Sequence, residues 1–237
     1  RRVESWHYTD LRAQMLELDF PEASNDAPPL EPLVKVEKEV SAVGFNASKF
    51  SPDNTNFSYL GADDTIGQIN AAFADDGLAC SIDAGAEFDV PLEFVTQVNG
   101  GSKHKRHTID VGENAKVMFV ERQVGVGGTG TCVANLDIAA GAQTTYVVVQ
   151  ETSIASTHLG QINAKIGDRA KLMIFVLNAG GKLVRQEVRV HVAGEESDFQ
   201  LRGVNLIGDG QHIDVTMDLQ HAVPNTTSQE IIRNIVT

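Results

Sequence analysis

The sequence is poor in cysteine, and this scarcity excludes several kinds of site. Cys80 and Cys132 are the only two, and they stand in no C-x-x-C spacing. Within this chain they can build neither a disulfide framework nor a four-thiolate cluster. Each shares strand parity with apolar neighbours, so we predict that both point inward and behave as small hydrophobes. This usage fits a reducing compartment, and we expect a cytoplasmic protein.

Long apolar runs and clustered positive charge are also scarce. Runs such as "YVVVQ" and "LMIFVL" are far shorter than the roughly 18 residues of a membrane span. The net charge of −13 argues against a nucleic-acid partner, because phosphate binding needs clustered Lys and Arg. The one basic cluster, "KHKR" at 103–106, is interpreted as a solvated turn. We therefore expect a soluble protein that binds neither nucleic acid nor membrane.

Recognisable catalytic motifs are missing as well. The sequence contains no G-x-S-x-G, P-loop or Rossmann fingerprint, and "GVGGTG" at 125–130 predicts a flexible corner between strands. None of the seven histidines stands in an H-E-x-x-H pair, and only His212 and His221 are weak candidates for metal ligands. We predict no catalytic residue, no cofactor-binding residue and no metal bound by this chain alone. The protein is not expected to be an enzyme.

Residues 1–78 are mixed in character and predict a helical or irregular N-terminal region. "SWHYTDLRAQMLEL" has helix-forming composition, and a stretch rich in Pro and acidic residues follows it. "DDTIGQINAAFADDG" then predicts a short amphipathic helix. Its N-cap would be Asp64 or Thr65, its apolar face would hold Ile66, Ile69 and Phe73, and Gly77 would follow its end.

An internal repeat begins at about residue 79. Short alternating apolar runs are punctuated by glycines at intervals of 26 to 29 residues, namely Gly85, Gly112, Gly141, Gly167 and Gly194. A repeat of this length indicates a solenoid, in which each unit buries its apolar face only by stacking on its neighbours.

The repeat units alternate with the period of a strand. In "EVRVHV" at 187–192 the three valines share one face, and Glu187, Arg189 and His191 share the other. The sequence therefore predicts a mainly β fold, a parallel β-helix over 79–237 with a coil period of about 27 residues. A twisted β-sandwich with short strands and glycine turns is the competing interpretation.

The last strand-like segment carries the residues that could support an enzyme. In "QHIDVTMDLQH" at 211–221 the apolar side chains should point inward, and Asp214 and Asp218 should point outward. One alternative function is therefore a carbohydrate-active β-helix enzyme that uses these two carboxylates. Another is a purely structural solenoid that binds a protein. A solvated or partner-covered face explains the outward residues more simply.

Three stretches resemble the SufB/SufD family of iron–sulfur cluster assembly proteins. They are "RRVESWHYTDLR" near the start, "NAAFADDG" before the repeat, and "LRGVNLIGDGQHIDVTMDLQHAVPNTTSQEIIRNIV" at the end. The segment from Trp6 to Arg12 is similar to the SufD branch rather than to SufB. The resemblance implies a right-handed parallel β-helix after an N-terminal helical region.

The same resemblance implies a function and partners. Such a chain would be a non-enzymatic scaffold that pairs with SufB and with the ATPase SufC in the bacterial cytoplasm, and the cluster would be assembled on the complex. The family's "D-D-V-K-C-S-H-G" type motif and its SufC-binding helices are not in this sequence, so we expect a fragment of a longer protein. The strand edge left at its end would favour pairing with a partner or a homodimer.

Overall fold

The computed structural model describes residues 40–42, 44–50, 64–74 and 76–237. The segment from Trp6 to Arg12 and the helix predicted around it lie outside these ranges. In chain order the described elements are β1 (Val40–Ala42), β2 (Phe45–Lys49), α1 (Thr65–Phe73), β3 (Asp76–Ile82), β4 (Leu92–Val111), β5 (Lys116–Ile138), β6 (Gln143–Thr152), β7 (Ser156–Ile166), β8 (Lys171–Asn178), β9 (Leu183–Val192), β10 (Asp198–Ile207), β11 (His212–His221) and β12 (Thr227–Val236).

The strands from β3 onward form two parallel stacks that share the long strands β4 and β5. The first sheet contains the leading parts of β4 and β5, followed by β6, β8, β10 and β12. The second contains β3, the trailing parts of β4 and β5, then β7, β9 and β11. β1 and β2 extend the second sheet antiparallel beside β3. The sequence did not predict that addition.

This arrangement is a parallel β-solenoid of about six turns, which confirms the predicted fold class. The strands from β3 to β12 pair with one another only in parallel. The β-sandwich interpretation is therefore wrong. β5 changes sheets within "GVGGTG", because its residues up to Gly125 pair with β6 and those from Gly128 pair with β7. The predicted corner at 125–130 is therefore confirmed.

A second corner, between each second-sheet strand and the next first-sheet strand, repeats one backbone conformation. A residue with positive φ recurs there at intervals of 27 to 29 residues, namely Gly85, Asn114, Gly141, Arg169, Glu196 and Asn225. Gly112, Gly167 and Gly194 stand two positions earlier, where a Cβ would strike the preceding coil; at Gly194 it would lie 1.9 Å from the Asp168 nitrogen. The predicted period is right, but the punctuating glycines occupy two different structural positions.

The core lies between the two sheets and follows the predicted alternation. Val188, Val190 and Val192 are buried, and in the last coil Met217 and Leu219 pack against the same core. Burying these alternate side chains between stacked coils supplies most of the favourable free energy of the fold, at roughly 25 cal/mol per Å² of apolar surface.

Helix α1 packs on the outside of the second sheet. Asp64 is its N-cap and accepts a hydrogen bond from the Gly67 nitrogen at 2.9 Å, while Ile66 is fully buried with Val133 and Leu159. Phe73 is 62% exposed, so its predicted place on the buried face is wrong; the buried polar side chain of Asn70 lies there instead. Gly77 belongs to β3 rather than following the helix end.

The basic cluster at 103–106 is part of β4, so its interpretation as a solvated turn is wrong. Arg106 is 1% exposed, and its guanidinium donates to Asn70 Oδ1 and to the Gly67 carbonyl, both at 2.9 Å. Lys103 and Lys105 form ion pairs with Asp76 on the neighbouring strand β3. The cluster therefore fixes the helix and the first strands of the solenoid.

Candidate functional site

A carboxylate lies inside the solenoid, where the strand pattern otherwise places apolar side chains. Glu121 points inward from the leading part of β5 and is 2% exposed. Its neighbours in the ladder are Phe94 on one coil and Val148 on the next. A buried carboxylate is costly unless it is fully hydrogen-bonded.

Three side chains donate hydrogen bonds to Glu121. The Cys132 thiol and the Gln123 amide donate to Oε1 at 2.8 and 2.7 Å, and the Tyr146 hydroxyl donates to Oε2 at 2.7 Å. Burial alone would raise the pKa of this carboxyl group. The charge of the nearby His107 ring in its protonated form and these hydrogen bonds outweigh burial and lower the pKa of Glu121 below its ordinary value.

Two buried histidines lie beside this carboxylate. His107 stacks on Phe94 with ring centroids 4.8 Å apart, and neither of its ring nitrogens has a hydrogen-bond partner among the described residues. His158 likewise has an unpartnered Nε2. Burial lowers the pKa of each ring to about 4, so both are neutral at pH 7. An unpartnered buried nitrogen costs about 1–3 kcal/mol.

We call His107, Glu121, Gln123, Cys132 and Tyr146 the interior cluster. It spans both sheets, because Glu121 and Tyr146 come from the first sheet and His107 and Cys132 come from the second. The donor atoms of His107, Glu121 and Cys132 lie within 4.8 Å of one another. Chemically the cluster offers a carboxylate, a thiol and a neutral imidazole in a site closed to water.

The two cysteines differ in their surroundings. Both are buried, as predicted. Burial, with the charge of Asp110, raises the pKa of Cys80 to about 12, and this side chain fits the predicted role of a small hydrophobe. Cys132 does not, because it donates to a carboxylate. Its pKa is raised well above the ordinary thiol value by burial and then by Glu121, so it holds its proton.

The outward residues of β11 do not form the carboxylate pair of the enzyme hypothesis. Asp214 forms an ion pair with the guanidinium of the buried Arg185. Asp218 lies four residues further along the same strand, which separates the two backbones by about 13 Å at 3.3 Å per residue. Glycosidase carboxyl groups stand about 5–9.5 Å apart. The structure therefore offers no observation that favours the carbohydrate-active alternative.

The two weak candidates for metal ligands are also kept apart. His212 and His221 begin and end β11, and nine strand residues span about 30 Å. These histidines therefore do not share one ion. His221 Nδ1 lies 2.6 Å from Thr226 Oγ1, an ordinary surface hydrogen bond.

The interior cluster was missed by sequence reasoning, although part of its signal was visible. In "KVMFVERQV" the inward parity of Val117 and Phe119 also places Glu121 and Gln123 inside. Two consecutive polar residues at inward positions mark a buried polar site. Farther along the solenoid, inward polar residues instead hydrogen-bond to one another, as Asn178 does to Asn205 at 2.8 Å. Glu121 has no polar ladder neighbour of this kind, because Phe94 and Val148 stand beside it.

Comparison with known proteins places this solenoid in a family. Residues 94–237 match the family model described as the SufBD core domain of the SUF system for FeS cluster assembly. An iron–sulfur cluster assembly SufBD family protein of Mycobacterium leprae is 29% identical over 108 residues, 45% of this chain and 28% of the relative. A second M. leprae protein of that description is 22% identical over 84% of this chain and 25% of its own length. The chain belongs to the SufBD core domain family, which confirms the family resemblance.

The relatives are much longer than the aligned region. The chain spans about a quarter of the length of the curated relatives it matches, including the Mycobacterium tuberculosis protein of the same description, 29% identical over 27% of its length. Within the described residues, no helix is long and apolar enough to cross a membrane.

Proposed function

We propose that this chain acts in iron–sulfur cluster assembly as a scaffold subunit of the SufD type, without catalytic turnover. The observation that carries the proposal is the family match, which runs from Phe94 to Thr237 and so includes both sheets and the interior cluster. A scaffold acts through surfaces and bound groups rather than through an activated nucleophile. The cluster under assembly would be the cargo of the whole complex.

The proposed partners are SufB and the ATPase SufC, in the cytoplasm. What supports these partners is the match of residues 94–237 to the SufBD core domain. A homodimer of the chain is the alternative assembly.

Co-purification tests the pairing. We expect the full-length protein that contains this chain, tagged and co-expressed with SufB and SufC from the same source, to bring both subunits through affinity and size-exclusion steps.

Circular dichroism shows whether the protein is folded. A folded protein that recovers neither SufB nor SufC would contradict the proposed partners. Sedimentation of the protein alone tests the homodimer.

A further inference from the structure

The interior cluster brings together three kinds of metal ligand. A His107 ring nitrogen, a Glu121 carboxylate oxygen and the Cys132 sulfur all lie within 4.8 Å of one another, and all three residues are buried. Imidazole, carboxylate and thiolate are the ligands that Zn²⁺ and other borderline divalent metals take in proteins. A shift of about 1 Å would bring the donors to bonding distance around one ion.

His107 is the second, independent observation. It is 3% exposed, yet neither ring nitrogen has a hydrogen-bond partner among the described residues. Buried polar side chains in native proteins are nearly always satisfied, and an exception calls for an explanation such as a bound ion. Both ring nitrogens of His107 are therefore available to a ligand.

We propose that His107, Glu121 and Cys132 bind a single divalent transition-metal ion, of the zinc or ferrous class, inside the solenoid. On binding, the Cys132 S–H bond breaks, its proton passes to solvent, and the sulfur lone pair bonds the ion. The thiolate and the carboxylate together carry two negative charges, which neutralise the ion in its buried site. Gln123 and Tyr146 keep their hydrogen bonds to Glu121 and so orient the carboxylate.

A second buried histidine lies near this site but outside the three-donor group. Gly160 is the ladder neighbour of Cys132 on the next coil, and the side chains of Gln186 and His158 fill the space left by its missing side chain. The Nε2 of His158 has no hydrogen-bond partner among the described residues. Three protein donors leave one position of a four-coordinate ion open.

The experiment uses cobalt as the probe. The untagged full chain is expressed in minimal medium with Co²⁺, purified, and examined for metal content by mass spectrometry and for the near-ultraviolet thiolate-to-cobalt charge-transfer absorption. We expect about one ion per chain and a clear thiolate band, since the metal is supplied while the protein folds around the site.

Cys132→Ser is nearly isosteric and retains a donor to Glu121, so it should fold yet lose the thiolate band. His107→Phe should lower cobalt content at least about tenfold. Cys80→Ser is the matched control, because Cys80 is the other buried cysteine, and it should keep both the band and the content. Wild-type protein without bound cobalt, or a band that survives Cys132→Ser and disappears in Cys80→Ser, would overturn the proposal.

Discussion

Glu121 is the residue on which the interior of the solenoid depends most. Three donors from three directions converge on its two oxygens, and all four residues are buried. The carboxylate is tolerated because these bonds replace its hydration. The same convergence makes it hard to replace, since each donor would be left unpaired.

We predict that Glu121→Leu lowers the free energy of unfolding by about 2–4 kcal/mol, because it leaves the Cys132, Gln123 and Tyr146 donors unsatisfied. Tyr146→Phe removes a single hydroxyl and should cost about 1 kcal/mol. Urea unfolding followed by circular dichroism, with a chelator present in every sample, measures both. Equal stability of Glu121→Leu and wild type would show that the hydrogen bonds contribute nothing net.

Asp76 is a single residue that makes the stability of the folded protein depend on pH. Burial would raise its pKa, but Lys105, the Gly77 amide and Lys103 outweigh burial and lower the pKa below 3.8. A lowered carboxyl pKa gives stability that is present above the ordinary pKa and is lost as pH falls through the folded-state value. With both lysines within 3.4 Å, the contribution should be about 1 kcal/mol or less.

Asp76→Asn should therefore be less stable than wild type at neutral pH, and the difference should shrink below about pH 4. Unfolding midpoints measured over a pH series check this. Asp89→Asn, at an exposed position, controls for the change in net charge. A difference that stays constant into strong acid would contradict the assigned ion pairs.

Residue-level reasoning from sequence could predict the direction of a side chain but not its contacts. Parity correctly placed Cys132 and Cys80 inside. It could not show that Cys132 meets Glu121, because the contact forms across two sheets after β5 has turned its corner. It also could not show that Arg106 is buried, since helix α1 covers that outer face only in the folded chain.

At the scale of the element, the repeated corner is the feature that the sequence signals most clearly. Its positive-φ position accepts Gly, Asn, Arg and Glu in different coils, so no single residue type marks it. Glycine punctuation revealed the period because two neighbouring corner positions both favour glycine, one for its φ and one for its lack of a Cβ. The spacing was therefore predictable, and the assignment of each glycine was not.

Arg169 tests this account of the corner. With φ of 55°, Arg169→Val should destabilise the protein by more than about 1 kcal/mol, because a β-branched side chain is strained in the left-handed region. Arg169→Gly should be neutral or slightly stabilising. Lys171→Val, two residues on and inside β8, is the matched control, since a strand accepts valine. Thermal unfolding of the three variants measures these differences in stability. An equal loss of stability for both substitutions at Arg169 would contradict backbone strain at this position.

At the scale of the whole molecule, each coil contacts mainly the coils before and after it, so stability is nearly a sum of coil and interface terms. Period and alternation are local properties, which explains why the solenoid was predictable from sequence. β1 and β2 pair antiparallel beside β3. They lie outside the sequence repeat, so the period did not predict them.

The most direct measurement of the central claim is the iron and acid-labile sulfide content of a reconstituted SufB–SufC complex prepared with and without this chain. As a scaffold subunit, the chain should be retained in the complex and raise both contents together, with no turnover of its own. Equal iron and sulfide in the two preparations, with the chain present in one of them, would contradict a role for it in cluster assembly.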